Sequence, residues 1–238
     1  MKKILIALLT LLMLAACTTN KQETVEPSPE NQQEPTGEVA GGWTINTDLP
    51  EMNDATFDSA RKLLGANYSP LFILGTQPVA GENIQYLCYG TVVAPGAKPE
   101  FKVVTVFKDL ENEGTAEITG IQDFVITDYL EGQGEVTPEG LMGGWQDTDS
   151  LPNMLNDKEN EVFEKAMEGL TGVGYQPVAT LATQVVAGTN YAFLALGTTV
   201  TAQPITHLYV VNVYADLQGN ATLNNICAIN LSTLVGNK

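Results

Sequence analysis

Apolar residues recur at the spacing of an amphipathic helix in two stretches of the chain. In the first stretch, Phe57, Ala60 and Leu64 lie on one helical face. In the second, Asn156 and Glu159 have the spacing of a capping box and precede a broader apolar stripe. The stripe consists of Val162, Phe163, Ala166, Met167 and Leu170. The sequence therefore predicts two helices, separated by about 100 residues.

After each helix the pattern changes to β-branched and aromatic residues divided by turn-forming residues, which is typical of strands. The predicted strands are 68–77, 83–93, 101–110 and 116–126 after the first helix, and 175–184, 190–200, 207–217 and 221–231 after the second. One helix followed by an antiparallel meander predicts an α+β fold for each half, with the helix across one face of the sheet.

The two halves match one another segment by segment. The matching segments are Gly41-Gly42-Trp43 and Gly143-Gly144-Trp145, Tyr68-Ser69-Pro70 and Tyr175-Gln176-Pro177, and Phe107-Lys108-Asp109-Leu110 and Tyr214-Ala215-Asp216-Leu217. A period of about 100 residues is that of a whole small domain. We therefore predict tandem domains at 39–130 and 141–238, joined by a linker at 131–140, with each tryptophan anchoring a short first strand.

The first residues have the features of an export signal. Lys2 and Lys3 precede an apolar run that ends at Leu14, and Ala15-Ala16-Cys17 follows. The run is shorter than the roughly 20 residues of a membrane-spanning helix. We predict a lipoprotein signal peptide at 1–16, a lipid on Cys17 and a disordered polar spacer at 17–38. The alternative is a plain signal peptide. The predicted location is outside the cytoplasmic membrane, on the cell surface or in the periplasm.

The chain is strongly acidic. Its formal net charge of −17 becomes −19 without Lys2 and Lys3, because 28 acidic and 9 basic residues then remain. Such a surface repels phosphate groups, so neither nucleic acid nor an anionic membrane surface is an expected partner. Membrane contact is expected only through the lipid. The charge favours solubility or a basic partner.

Reactive side chains are scarce. His207 is the one histidine of the sequence, so neither a metal site nor a cofactor is expected. A dyad of Cys88 with His207 is the catalytic alternative, although no flanking motif accompanies it. Cys88 and Cys227 do not occupy equivalent positions, which argues against a disulfide framework, and Cys227 is expected to be a buried thiol. Asp109 and Asp216 are interpreted as turn-initiating residues.

One segment of each copy resembles a known family signature. The second copy contains Gln184-Val185-Val186-Ala187-Gly188-Thr189-Asn190-Tyr191, which resembles the signature hairpin of the cystatins, and of stefins in particular. The first copy contains Gln77-Pro78-Val79-Ala80-Gly81, which fits the same Gln-x-Val-x-Gly pattern. The segments 106–110 and 118–120 are similar to the last two strands of a stefin, and each Gly-Gly pair lies where a stefin has its N-terminal glycine.

This resemblance implies two cystatin-like domains, each a sheet of four to five antiparallel strands wrapped on one helix. It implies a monomeric, non-enzymatic, reversible and non-covalent inhibitor of papain-like cysteine proteases. The residues implied to contact the protease are Gly41, Gly42, Gln77, Pro78, Val79, Ala80 and Gly81 in the first copy, and Gly143, Gly144, Gln184, Val185, Val186, Ala187, Gly188, Leu217, Gln218 and Gly219 in the second. The alternative is a non-inhibitory, surface-displayed interaction module that reuses the fold.

Geometry supports this grouping without the resemblance. In a simple meander, the turn after the second strand and the turn after the fourth lie at the same end of the sheet. The start of a first strand that pairs antiparallel with the second also lies there. The Gly-Gly pair, the Gln-x-Val-x-Gly hairpin and the last hairpin are therefore predicted to form one edge. Both copies lack the Pro-Trp pair that secreted cystatins carry in the last hairpin.

Overall fold

The structure, a computed structural model, describes residues 41–49, 55–60, 66–92, 99–112, 115–130, 144–148 and 151–236. The predicted signal peptide, Cys17, the spacer, the linker at 131–140 and Gly143 lie outside these residues. The described residues form an α+β fold with two five-stranded antiparallel sheets and few helices. None of the helices within these ranges has the length and apolar character needed to cross a bilayer.

Each copy contributes one sheet, and the strands follow one another in chain order. The first copy contains β1 (Thr44–Ile45), α1 (Ala55–Ala60), β2 (Ala66–Val79), β3 (Gly81–Val92), β4 (Glu100–Lys108), β5 (Ala116–Asp123) and a 3-10 turn (Thr127–Tyr129). The second copy contains β6 (Trp145–Asp147), α2 (Asp157–Met167), β7 (Val173–Val186), β8 (Gly188–Thr199), β9 (Thr206–Ala215), β10 (Ala221–Ala228) and α3 (Leu231–Leu234). The predicted meander after one helix is confirmed in both copies.

Three predicted ends are each wrong by three residues. The strand predicted at 116–126 ends at Asp123. The last strand, predicted to reach residue 231, ends at Ala228, and α3 follows it. The reason is that the Asn230 side chain accepts a hydrogen bond from the Ser232 amide and so starts a helical turn. Leu170, predicted to belong to the helical stripe, lies beyond the end of α2 at Met167 and is 37% exposed.

The outer face of each sheet carries its helix. The predicted capping box at the start of α2 is present, because Asn156 and Glu159 exchange side chain to backbone hydrogen bonds of 2.9 Å. Phe163 of α2 packs edge to face on Phe193 of β8, with ring centroids 5.2 Å apart. In the first copy, Phe57 of α1 packs on Tyr86 of β3 in the same way, at 5.1 Å. Each helix is thus held by an aromatic contact to the centre of its sheet.

The inner faces of the two sheets pack against one another. They form a single buried cluster to which both copies contribute large side chains. Its least exposed members include Leu74, Leu87 and Val103 from the first sheet and Leu194, Leu208 and Val210 from the second. The layers therefore run helix, sheet, sheet, helix, and the copies share a core that the sequence analysis did not predict.

Reciprocal hydrogen bonds connect the C-terminal turn of each copy to the sheet of the other. The Asn212 side-chain amide donates to the Tyr129 carbonyl at 2.9 Å. The Gly236 amide donates to Oε1 of Gln85 at 2.8 Å. Gln85 and Asn212 are both buried polar residues, so losing either bond would cost about 1–3 kcal/mol. These contacts make the folding of the two copies interdependent.

Candidate functional site

Three segments of the first copy lie at one end of its sheet. Thr44 of β1 pairs with Thr76, close to the tip of the β2–β3 hairpin, where Val79 pairs with Gly81. The end of β4 lies beside the same hairpin, because Lys108 pairs with Glu82. We call these segments the first rim, which comprises Gly41, Gly42, residues 77–82 and residues 108–112. The predicted convergence therefore holds in the first copy.

Gln77 connects the glycine segment to the hairpin. Its side-chain amide donates to the Gly41 carbonyl at 2.7 Å, and its Oε1 accepts from the Asn83 side chain at 2.9 Å. Both ends of the Gln77 side chain are thus used inside the protein. Gln77, which is predicted to contact a partner, also holds the rim together through its hydrogen bond to the Gly41 carbonyl.

The equivalent segments of the second copy also meet at one end of the sheet. Trp145 of β6 pairs with Gln184, and the Asn190 side chain donates to Oε1 of Gln184 at 2.7 Å. The β7–β8 hairpin turns through Ala187 alone, between the paired Val186 and Gly188. We call this edge the second rim, which comprises Gly144, residues 184–189 and residues 215–220. Gly143, predicted to belong to it, lies outside the described residues.

Each hairpin tip requires glycine after its turning residue. Gly81 and Gly188 have φ values of 136° and 140°, which residues with a side chain rarely adopt. A Cβ at Gly81 would lie 2.6 Å from the Lys108 carbonyl oxygen and from the Phe107 ring. A Cβ at Gly188 would meet the Ala215 carbonyl oxygen and the Tyr214 ring. These glycines let the hairpin tip press against the neighbouring strand.

Apolar side chains project from both rims. Val79 and Leu110 of the first rim are 45% and 59% exposed. In the second rim, Val185, Val186 and Leu217 are 63%, 43% and 79% exposed. Solvent-facing valine and leucine at the tips of tight hairpins offer surface that a partner could bury. Leu110 was not among the predicted contact residues, although Leu217 at the equivalent position was.

The charge of the two rims differs at three equivalent positions. The first rim carries Glu82 opposite Lys108, and Glu111 in its last turn. The second copy has uncharged residues at these positions. They are Thr189 opposite Ala215, and Gln218. Because the second rim carries fewer charged side chains than the first, it loses less hydration free energy when it is buried.

The last turn of each rim is organised by an aspartate, as predicted for Asp109 and Asp216. Asp109 accepts hydrogen bonds from the Asn112 side chain and from the backbone amides of Glu111 and Asn112. The Asn112 contact is the main reason that the pKa of Asp109 lies below its ordinary value. Asp216 is bound in the same way by Asn220 and Gln218, and its pKa is lowered likewise.

Neither rim contains a reactive group. Cys88 is a free cysteine buried under α1, where burial raises the pKa of its thiol and so disfavours the nucleophilic thiolate. His207 lies on β9 of the other sheet. Within the described ranges, no group of three or more His, Cys, Asp or Glu side chains could hold a metal ion. Cys227 is buried as expected, but its sulfur is disulfide-bonded and is not the predicted thiol.

No protein-family model matches the sequence, and no curated protein matches it significantly. The candidate site therefore depends on its geometry and on the resemblance of its hairpins.

The supporting residues of the rims were missed by the sequence analysis. Asn83 and Asn190 brace the hairpin glutamines, and Phe107 and Tyr214 cover the tip glycines. A signal for both was present in the repeat. Each asparagine follows its glutamine by six positions in both copies, and each aromatic residue occupies the same place before the turn-forming aspartate.

Proposed function

We propose that this protein is a reversible, non-covalent inhibitor of papain-like cysteine proteases, built from two cystatin-like domains. The rims would enter the active cleft of the protease as wedges and cover its catalytic cysteine without offering a bond to cleave. In this proposal the protein is not an enzyme, needs no cofactor and acts as a monomer. Its acidic surface would keep it away from nucleic acid.

The observation that carries the proposal is the convergence of three backbone segments at one exposed edge in each copy. In the second rim, Trp145 pairs with Gln184, and Ala215 pairs with Thr189 and with Ala221. These pairings bring the start of the first strand, the hairpin and the last turn side by side. The shared core lies on the sheet faces and leaves the tips of both rims exposed.

The geometry supports binding through shape complementarity, without a chemical reaction between the two proteins. A hairpin that turns through one residue and is closed by glycine is thin enough to enter a groove. Its backbone is fixed by strand pairing on both sides, so little conformational entropy is lost on binding. Exposed valines at the tips would exclude water from the cleft.

The test is inhibition of papain by the full-length protein in mild detergent. We expect reversible inhibition that Val186→Asp weakens about 30-fold, the effect of removing a central interface contact. Val200→Asp is the matched control, because Val200 is 75% exposed and follows β8 at the end away from the rim. If wild type inhibits papain and the two variants Val186→Asp and Val200→Asp weaken that inhibition equally, the rim is excluded as the binding edge. Absence of inhibition, with binding to some other surface protein, would favour the interaction module.

We also propose that the protein is exported and anchored by a lipid on Cys17. The support is the sequence from Lys2 to Cys17, as described above. Cells grown with a labelled fatty acid should yield a labelled wild-type protein and an unlabelled Cys17→Ser variant. Label that persists in the variant would contradict the anchor.

A further inference from the structure

The tip of the second rim is fastened by a hydrogen bond that the first rim cannot make. The Tyr214 hydroxyl donates to the Ala187 carbonyl at 2.6 Å, and Ala187 is the single residue around which the hairpin turns. The ring of Tyr214 lies beside Gly188, next to the turn. A bond across 27 positions of sequence thus ties the tip to β9.

The equivalent residue of the first copy is Phe107. The ring of Phe107 lies beside Gly81, just as the ring of Tyr214 lies beside Gly188. A Cβ added at either glycine would meet the neighbouring ring. Phenylalanine has no hydroxyl, so the carbonyl of Ala80 receives no such bond from this position. In both hairpins an aromatic ring therefore packs beside the glycine. The second hairpin differs because a tyrosine hydroxyl also donates a hydrogen bond to its tip.

A second contact fixes the last turn of the second rim. Nζ of Lys165, on α2, donates to the Gly219 carbonyl at 2.9 Å. Gly219 lies in the turn that presents the exposed Leu217. Both projecting parts of the second rim are thus connected to the body of the domain. The charged positions Glu82, Lys108 and Glu111 distinguish the first rim, and burying them in a cleft would cost hydration free energy.

We propose that Tyr214 is a positioning residue that holds the second hairpin tip in its binding shape, and that the second rim therefore binds a protease cleft more tightly than the first. This inference rests on the proposed function. A tip held by a hydrogen bond loses less conformational freedom on binding, and an edge with fewer charged side chains loses less hydration free energy. The first rim remains a weaker wedge of the same kind.

The experiment compares the rims one at a time in the full-length protein. Val79→Asp silences the first rim, and in that background we expect Tyr214→Phe to raise the Kd for papain about three- to tenfold, the effect of one neutral hydrogen bond. Val186→Asp silences the second rim, and in that background Phe107→Tyr should lower the Kd by a similar factor. Each change should shift the Tm by no more than about 4 °C, the effect of one hydrogen bond in a protein of this size.

A second readout reports on the tip without any protease. Backbone NMR order parameters of residues 186–189 should fall in Tyr214→Phe and should be unchanged in Phe107→Tyr. Unchanged order parameters in Tyr214→Phe would overturn the positioning role. Equal Kd values for the two isolated rims would overturn their ranking. If wild type does not bind papain at all, the proposed function fails, while the order parameters still decide the role of Tyr214.

Discussion

The two rims share a backbone and differ in how firmly it is held and how it is charged. Both hairpins turn through one alanine, both are closed by glycine, and both carry a glutamine that an asparagine braces. The second adds the Tyr214 hydroxyl bond and replaces three charged positions with uncharged residues. A duplicated domain can thus keep its architecture while its binding edges diverge.

The shared core contrasts with the divergent rims, and a core substitution should affect both copies alike. Leu194→Ala removes a fully buried side chain from the cluster between the sheets, so we expect unfolding to require about 2–5 kcal/mol less. Two separate variants each keep one tryptophan as a fluorescent reporter. Trp145→Phe keeps Trp43 in the first copy, and Trp43→Phe keeps Trp145 in the second. Urea unfolding followed from either tryptophan should give one midpoint. Two separate midpoints would contradict the shared core.

The glycine at each hairpin tip allows the rims to be broken separately. In Gly188→Val, the new side chain would meet the Ala215 carbonyl at a positive φ, so the tip must shift. We expect papain inhibition to weaken about 10- to 100-fold. The corresponding Gly81→Val should weaken it far less, because the second rim remains intact. The control is Gly174→Val, where the nearest atom to a Cβ is 4.0 Å away. A larger effect of Gly81→Val than of Gly188→Val would reverse the ranking of the rims.

The exposed leucines of the last turns provide a smaller test. Leu217→Ala should weaken inhibition about fivefold, because part of one apolar side chain is lost from the contact. Leu110→Ala in the first rim should have a smaller effect. Inhibition constants measured side by side decide this. An effect of Leu110→Ala that matches that of Leu217→Ala would indicate that both turns contribute equally.

The smallest expected effect is the response of the last turns to acid, where the rims should behave alike. The pKa values of Asp109 and Asp216 are lowered mainly by their asparagine partners, so both turns gain stability from the ionised carboxylate. That contribution is complete above the unfolded-state pKa of about 4 and is lost as the pH falls through the folded-state pKa. Amide shifts of residues 109–112 and 216–220 should therefore titrate together below about pH 4. Asn220→Ala should raise the pKa of Asp216 and leave that of Asp109 unchanged, whereas an unchanged Asp216 would contradict the assigned cause.

Local features of the fold could be predicted from the sequence because their causes are local. The capping box of α2 depends on two residues three positions apart, and the hairpin tips depend on glycine beside the turning alanine. The Tyr214 bond joins residues far apart in sequence, so the hydroxyl had no assigned partner before the fold was known. The end of β10 was missed because Asn230 was counted within a strand rather than as a helix cap.

The sequence contains a pattern that indicates packing of the two sheets, although the tandem repeat suggests two separate domains. In β8 the residues 191–196 read Tyr-Ala-Phe-Leu-Ala-Leu, a continuous apolar run rather than an alternating one. Such a run is typical of a strand that is covered on both faces. The helix covers one face, so a second layer was required, and the other copy supplies it. The sequence pattern alone does not show which face of the other copy covers β8.

The most direct test of the central claim is amide hydrogen exchange of the full-length protein with and without papain. We predict that papain slows exchange at residues 184–188 and 216–220, and more weakly at 77–81 and 109–112, while exchange in α1 and α2 is unchanged. Protection confined to the helical faces, or the absence of protection at both hairpin tips, would contradict the account.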